Sequence, residues 1–441
     1  NSPGGSPPMD AIQEFRVATG NSAEFGRSAG ANVNIAIKSG TRDLHGSAYW
    51  YVRNDKFDAN DFFANRQARG KVPFRQNQYG LSAGGPVVLP KIYNGREKTF
   101  WFASWEGFRW RRGQTGQSTV PLEEMRGGDF SSLSQKIYDP LTGALDSTGR
   151  IIRQPFANNR IPTSRINPGM KFVVDKLLRL PNRPGTVNNL LQTGGQSNDR
   201  DMFVARIDHS FGQNDVIFGR ILDQRVGQVV PNVAGYVSEN RFDVRNYGLG
   251  WNHIFSPSTV LEVKYGFNNP DNPGCPVFRD GLTREGILKS AGVSIFDMQA
   301  LCDTRVNFGE QGYMGAGGGG GETDIERSHQ FNGKLSKVFG RHSFKMGGGY
   351  TYRFFDAQFS NPTNGDATFW TSVTASDNDA RSGDSFATML LGYPSYIRRG
   401  FTIPKLFARQ PYFEGFFQDD WRVTDRLTIN LGMRWESGFR P

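Results

Sequence analysis

Nowhere in its 441 residues does this chain reach eighteen consecutive apolar residues, so no helix of it can span a bilayer. Cysteine is almost missing: Cys275 and Cys302 are the only two. Both fall in one expected loop and are a candidate disulfide, although two cysteines do not define a redox compartment. Histidine is scarce as well. His45, His209, His253, His329 and His342 are widely spaced, and none forms the H-x-x-x-H or H-E-x-x-H pattern of a metal-binding helix. His209 and His253 stand near strand ends, where an amphipathic ring suits an interface. "YMGAGGGGGET" (313–323) lacks the G-K-[ST] that a phosphate loop needs and reads as a flexible outer loop. "SDNDARSGD", with Asp377, Asn378, Asp379 and Asp384, misses both the spacing and the terminal Glu of a calcium loop, which favours a solvated loop. No cofactor is expected.

A formal charge of +10 raises nucleic acid as a partner, but the basic residues are scattered and form no stripe or nucleic-acid motif. The densest group, Arg109, Arg111 and Arg112 in "FRWRRGQ", reads first as a solvated loop base and second as a contact for anionic lipid headgroups. What the chain does have is glycine and rings: 54 Gly, 35 Phe, 14 Tyr and 8 Trp at a mean hydropathy of -0.53. A soluble core of that size would carry more aliphatic residues. A transmembrane β-barrel fits, because its strands alternate apolar and polar residues.

The alternation is plain. In "RLTINLGMRWES", Leu427, Ile429, Leu431, Met433 and Trp435 share one face, and Thr428, Asn430, Gly432, Arg434 and Glu436 the other. About eleven such segments lie near 44–53, 77–88, 98–110, 201–212, 214–226, 245–255, 258–269, 327–339, 341–357, 411–423 and 426–436. Most are long enough to cross a membrane at a tilt. From the fourth onward, tight gaps ("QN", "SP", "GR", "TD") alternate with long ones. That is the layout of an outer-membrane barrel, with periplasmic turns and extracellular loops at 54–76, 111–200, 227–244, 270–326 and 358–410. The apolar face meets lipid, the polar face a lumen, and Tyr247, Phe255, Trp421 and Trp435 sit at headgroup level. "NPGMKFVVDKLLRLPN" (167–182) has helical spacing within the largest loop. "DSFATMLLGYPSYI" (384–397) is either packing within its own loop, the favoured reading, or a short helix over the barrel mouth.

The order of motifs resembles the TonB-dependent outer-membrane receptors, in particular their Oar-like branch. The resemblance runs through "IQEFRV" (12–17), "AEFGRSAG" (23–30), "NVNIAIKSGT" (32–41), "HGSA" (45–48), "NQYGLSAGGPV" (77–87), "VPLEEMRGGDFS" (120–131), "NRIPTSRINP" (159–168) and "FQDDWRVTDRLTINLGMRWE" (417–436). It implies an all-β fold: about eleven of an expected twenty-two antiparallel barrel strands (42–441), preceded by the C-terminal part of an internal plug (1–41). In that family a carboxypeptidase-regulatory-like domain usually precedes the plug and a TonB box lies upstream of it; more strands are expected beyond residue 441. The implied function is ligand movement across the outer membrane of a Gram-negative cell, driven by TonB and its inner-membrane complex. Outer-membrane lipid, lipopolysaccharide and an unidentified ligand are the other implied partners. The alternative is a non-transporting adhesin or structural surface barrel.

"GRSAG" (26–30) matches the G-x-S-x-G of hydrolases, but a nucleophile elbow needs a helix after its serine, and "ANVNIAIK" is a strand. No enzyme is expected. The residues singled out are those of the plug–barrel junction: Glu24, Gly26, Arg27, Gly30, Asn34, Lys38 and Gly40.

Overall fold

The computed structural model describes residues 5–18, 23–26, 32–66, 70–231, 236–272, 277–278, 284–290, 292, 306–310, 312–318, 323–358, 366–398 and 405–438. Two short strands, β1 (Ile12–Ala18) and β2 (Asn32–Ile37), pair antiparallel with each other alone. Eleven strands then follow in chain order as one antiparallel sheet. They are β3 (His45–Asn54), β4 (Phe74–Pro86), β5 (Thr99–Ser118), β6 (Leu190–Ser210), β7 (Asp215–Pro231), β8 (Tyr236–Ser256), β9 (Thr259–Asn272), β10 (Thr323–Phe339), β11 (His342–Gln358), β12 (Lys405–Thr424) and β13 (Leu427–Gly438). Each strand-like segment of the sequence corresponds to one of them.

The turns at 211–214, 257–258, 340–341 and 425–426 lie on one edge of the sheet, and the long connections on the other. Gly340 enters its two-residue turn at φ +60°, a left-handed conformation that a side chain disfavours. Strands run further than alternation indicates. The expected loop 227–244 is mostly a ladder, since β7 and β8 stay paired as far as Pro231↔Val237, leaving only 232–235 between them. Likewise β5 and β6 remain paired from Arg111↔Ser197 to Ser118↔Leu190, inside the expected loop 111–200. Beyond the lipid band both faces of a strand meet water, so apolar alternation stops while backbone pairing continues.

The faces divide as expected. Phe203, Ile207, Ile217, Ile221, Tyr247, Leu249 and Trp251 are exposed on the convex side, although their neighbours in sequence are buried or face the interior. Eight residues along β6 separate the outward His209 from the outward Asp201, and eight along β8 separate His253 from Arg245. At ~3.3 Å per residue and a ~40° tilt this is a band roughly 20 Å tall, close to the apolar belt of a barrel.

Above the sheet lies a second body. Helix α1 (Pro168–Leu177), in the connection after β5, and helix α2 (Ser385–Leu391), in the connection after β11, share one core. Met125, Phe130, Val173, Val174, Phe386, Met389 and Leu390 are all nearly or fully excluded from solvent there. The expected helix at 167–182 is present. The apolar segment at 384–397 forms the short helix α2, which packs within its own loop against Phe369, with Thr388 Oγ1 donating to Trp370 O at 2.9 Å, and also joins the core of the loop after β5. Asn167 caps α1 by accepting from Met170 N at 3.1 Å, and Asp384 caps α2 by accepting from Phe386 N (2.9 Å) and Ala387 N (3.1 Å).

Candidate functional site

The segment before β3 lies inside the curve of the sheet. Residues of β1 and β2, with Ala23, Glu24 and Phe25, line a cavity of about 1130 Å³ whose other walls come from β6 through β13. Its lining carries six cations, Arg16, Arg206, Arg220, Lys264, Lys334 and Lys345, against Glu14, Glu24 and Asp420.

A small apolar seam anchors one end. Ala11 and Ile37 bury against Phe102 of β5, Val204 of β6 and Leu222 of β7. Among the described residues, a set of polar contacts also joins hairpin to wall. Arg206 Nη1 donates to Ile37 O at 2.8 Å while its guanidinium pairs with Asp208, and Ser39 Oγ donates to Asp208 Oδ2 at 2.7 Å. Lys334 Nζ sits 3.0 Å from Glu24 Oε1 and 3.1 Å from Glu262 Oε1. Arg434 donates to the backbone oxygens of Ala23 (3.1 Å) and Glu24 (3.2 Å) and pairs with Glu414 and Glu436. Asp10 takes Lys38 Nζ at 3.3 Å and Ser47 Oγ, on β3, at 2.8 Å. Burial alone would raise the Asp10 pKa, but hydrogen bonds from Ser82 and Ser47 and the Lys38 charge together hold it below the usual carboxylate range.

The residues singled out from the sequence fall as follows. Glu24, Lys38 and Gly40 contact the wall or brace the segment that does, and Asn34 lines the cavity from β2. Gly40 has no room for a side chain: a Cβ would collide with Trp101 O and lie 2.7 Å from Gly85 O. Gly26 lies against the Arg434 and Glu436 side chains. Arg27, Ser28, Gly30, Cys275 and Cys302 lie outside the described residues.

Two sequence readings change. Arg109, Arg111 and Arg112 belong to β5, not to a loop base; Arg109 pairs with Asp201 across the ladder at 2.9 Å and Arg111 with Asp199. Two of the loop carboxylates expected in water hold backbone or hydroxyl groups: Asp377 accepts from Ile151 N (2.7 Å) and Asp379 from Tyr138 Oη (3.1 Å). The third, Asp384, is buried. The wall partners Lys334, Arg206, Asp208 and Arg434 were missed. A charged residue in mid-strand, as in "NGKLS" or "VARID", was their one available signal, and it does not name a partner.

A barrel wall with an inner segment fits one family in particular, and the model of the outer membrane beta barrel domain matches residues 36–441. The chain belongs to the outer membrane beta barrel domain family. It is an outer-membrane protein, and the convex apolar band is its lipid face. No curated protein matches the chain in sequence. Among solved structures, this barrel is similar to the outer membrane transporter YddB from Escherichia coli, with 12% identity over 94% of this chain and 42% of that one, TM-score 0.48. It is also similar to a mutant of the ferric enterobactin receptor PfeA from Pseudomonas aeruginosa (12%, 98% and 45%, TM-score 0.48). The siderophore receptor PirA from Acinetobacter baumannii matches at 13% identity over 97% and 44%, TM-score 0.46. The barrel chain spans under half the length of each.

Proposed function

We propose that this barrel is part of a TonB-dependent transporter of the Oar-like branch, with residues 1–41 as the end of its plug and 42–441 as wall and loops. Ligand captured outside passes when TonB and its inner-membrane complex pull the plug. The observation carrying this reading is the character of the hairpin–wall seam. Glu24–Lys334, Arg206–Ile37 O, Ser39–Asp208 and Arg434–Glu24 O are polar contacts, beside an apolar seam of five residues. Water replaces such contacts at a net cost of about 1 kcal/mol each, whereas a large apolar interface would resist extraction. In this reading Glu24, Gly26, Arg27, Gly30, Asn34, Lys38 and Gly40 set how the plug seats and releases. The outward Arg109, Arg111, Arg225 and Arg245 stand above the apolar band, where lipopolysaccharide phosphates lie.

Binding of the full-length protein in detergent to a periplasmic TonB fragment tests the reading. Saturable binding that disappears with the segment upstream of the plug is expected; no binding at hundred-micromolar concentration contradicts it. The folded body built from three long connections favours a second reading, a surface adhesin, and that result would leave it standing.

A further inference from the structure

A second, smaller pocket opens on the concave face of the sheet, nearer the long-loop edge. Its volume is about 220 Å³, and it is lined by Phe108 and Trp110 of β5, Gln196, Ser197 and Asn198 of β6, and Gln228, Val229 and Val230 of β7. Phe108, Trp110, Gln196, Asn198 and Gln228 share the strand parity of the inward, buried Phe102, Val204 and Leu222. The register places Asn198 opposite both Trp110 and Gln228. Phe74 packs edge-on to Trp110 at 6.2 Å, and the Arg200 guanidinium lies 5.0 Å over the Phe108 ring, so both rings are held.

We infer that this pocket is a saccharide subsite, which takes one neutral pyranose ring of a glycan. The volume is below the range of pockets that enclose a drug-sized ligand, so it suits a single ring of a longer chain. A pyranose presents C–H groups on its face and hydroxyls around its edge. The aromatic rings match the face. The amides match the edge, because each carries donors and an acceptor and a hydroxyl is both at once. Among the described residues that line the pocket none is ionised, and the Arg200 guanidinium beside it stacks on the Phe108 ring. A purely apolar ligand would strand three amides. The charged cavity at the hairpin has the opposite character, so the two chambers favour different chemistry. The inference deepens the transport reading by giving a ligand class, but binding at this pocket does not require transport.

The test is calorimetric titration of the full-length protein in detergent with neutral hexasaccharides: cello-, xylo-, manno- and maltohexaose. At least one is expected to bind saturably. Trp110→Ala should weaken that binding about tenfold or more, the equivalent of one ring contact at ~1.4 kcal/mol. Asn198→Ala and Gln228→Ala should each weaken it several-fold, while Trp370→Ala, on the outer body, leaves it unchanged. Heat-modifiable gel migration checks that each barrel is folded, and Trp110→Phe, which keeps an aromatic face, should retain most of the affinity. Absence of binding by all four sugars at millimolar concentration overturns the inference. So does binding that Trp110→Ala leaves intact in a folded barrel. TonB-fragment binding is measured separately, so failure of the transport reading is distinguishable from failure of the subsite.

Discussion

Lys334 Nζ, on β10, lies 3.0 Å from Glu24 Oε1 in the segment that precedes the barrel. Both side chains are about three-quarters buried, and Glu262 holds the same ammonium from β9 at 3.1 Å. A lone ammonium facing two carboxylates neutralises half the charge it meets, and Lys264 supplies the balance at 2.8 Å from Glu262. Replacing Lys334 by Met therefore removes this ammonium from both Glu24 and Glu262 inside the lumen. Double-mutant cycles with Glu24→Gln should give a coupling of about 1–2 kcal/mol, between the values for exposed and buried pairs. The readout is urea unfolding of the refolded full-length protein in detergent; a coupling near zero would mean that the segment is not held at Glu24.

The convex face makes a second prediction. Leu249→Arg and Ile221→Arg place a cation in mid-band and should each cost about 2–4 kcal/mol in liposome refolding. Gln330→Arg, which faces the cavity, should cost much less. Equal costs on the two faces would contradict the lipid–lumen assignment.

The loop body is one core built from three connections, those after β5, β9 and β11, with Ile287 and Tyr313 supplied by the second, so damage in one should expose the others. Phe386 is fully buried in it, and Phe386→Ala should remove about 3–5 kcal/mol from its stability. Limited proteolysis is then expected to cut near α1, over two hundred residues away in sequence, while heat-modifiable barrel migration persists. Cleavage confined to 366–398 would show that the connections fold separately.

Asp384 gives that body a pH dependence. Burial raises its pKa above the usual carboxylate value, against hydrogen bonds from Ala387 N, Tyr313 Oη and Phe386 N. Because the folded state holds this proton more tightly than the unfolded state, its ionisation costs stability as pH rises above about 4. Asp384→Asn keeps an acceptor for the α2 cap and removes the charge. The variant should gain stability relative to the parent at pH 7, and the gain should shrink toward pH 4. Urea midpoints for the pair across that range check it; a difference independent of pH would rule out the buried charge as its source.

Strand number, strand order and the lipid-facing residues were legible because period-two alternation is a direct print of two different solvents. The positions of Leu249 and Lys264 are cases in point. Legibility stopped where that contrast stopped. Above the band both faces of β7 and β8 are wetted, and residues 227–231 and 237–244 read as loop although they pair. The shared core was hidden for another reason: Val174 and Phe386 mark apolar segments, but no local pattern tells one segment that its partner lies in a different loop. The junction was half legible. Glycine flagged Gly40, where the backbones of Trp101 and Gly85 leave no space. Lys334 and Arg434 were indistinguishable from any other lumenal charge until the hairpin was placed against them.

Ion conductance of the full-length protein in planar bilayers tests most directly the claim that the segment before β3 fills the barrel. Intact protein is expected to stay closed, and deletion of residues 5–41 to give a large, stable conductance. Lys334→Met with Arg434→Met should give intermittent opening between the two. Identical conductance with and without residues 5–41 would contradict the account.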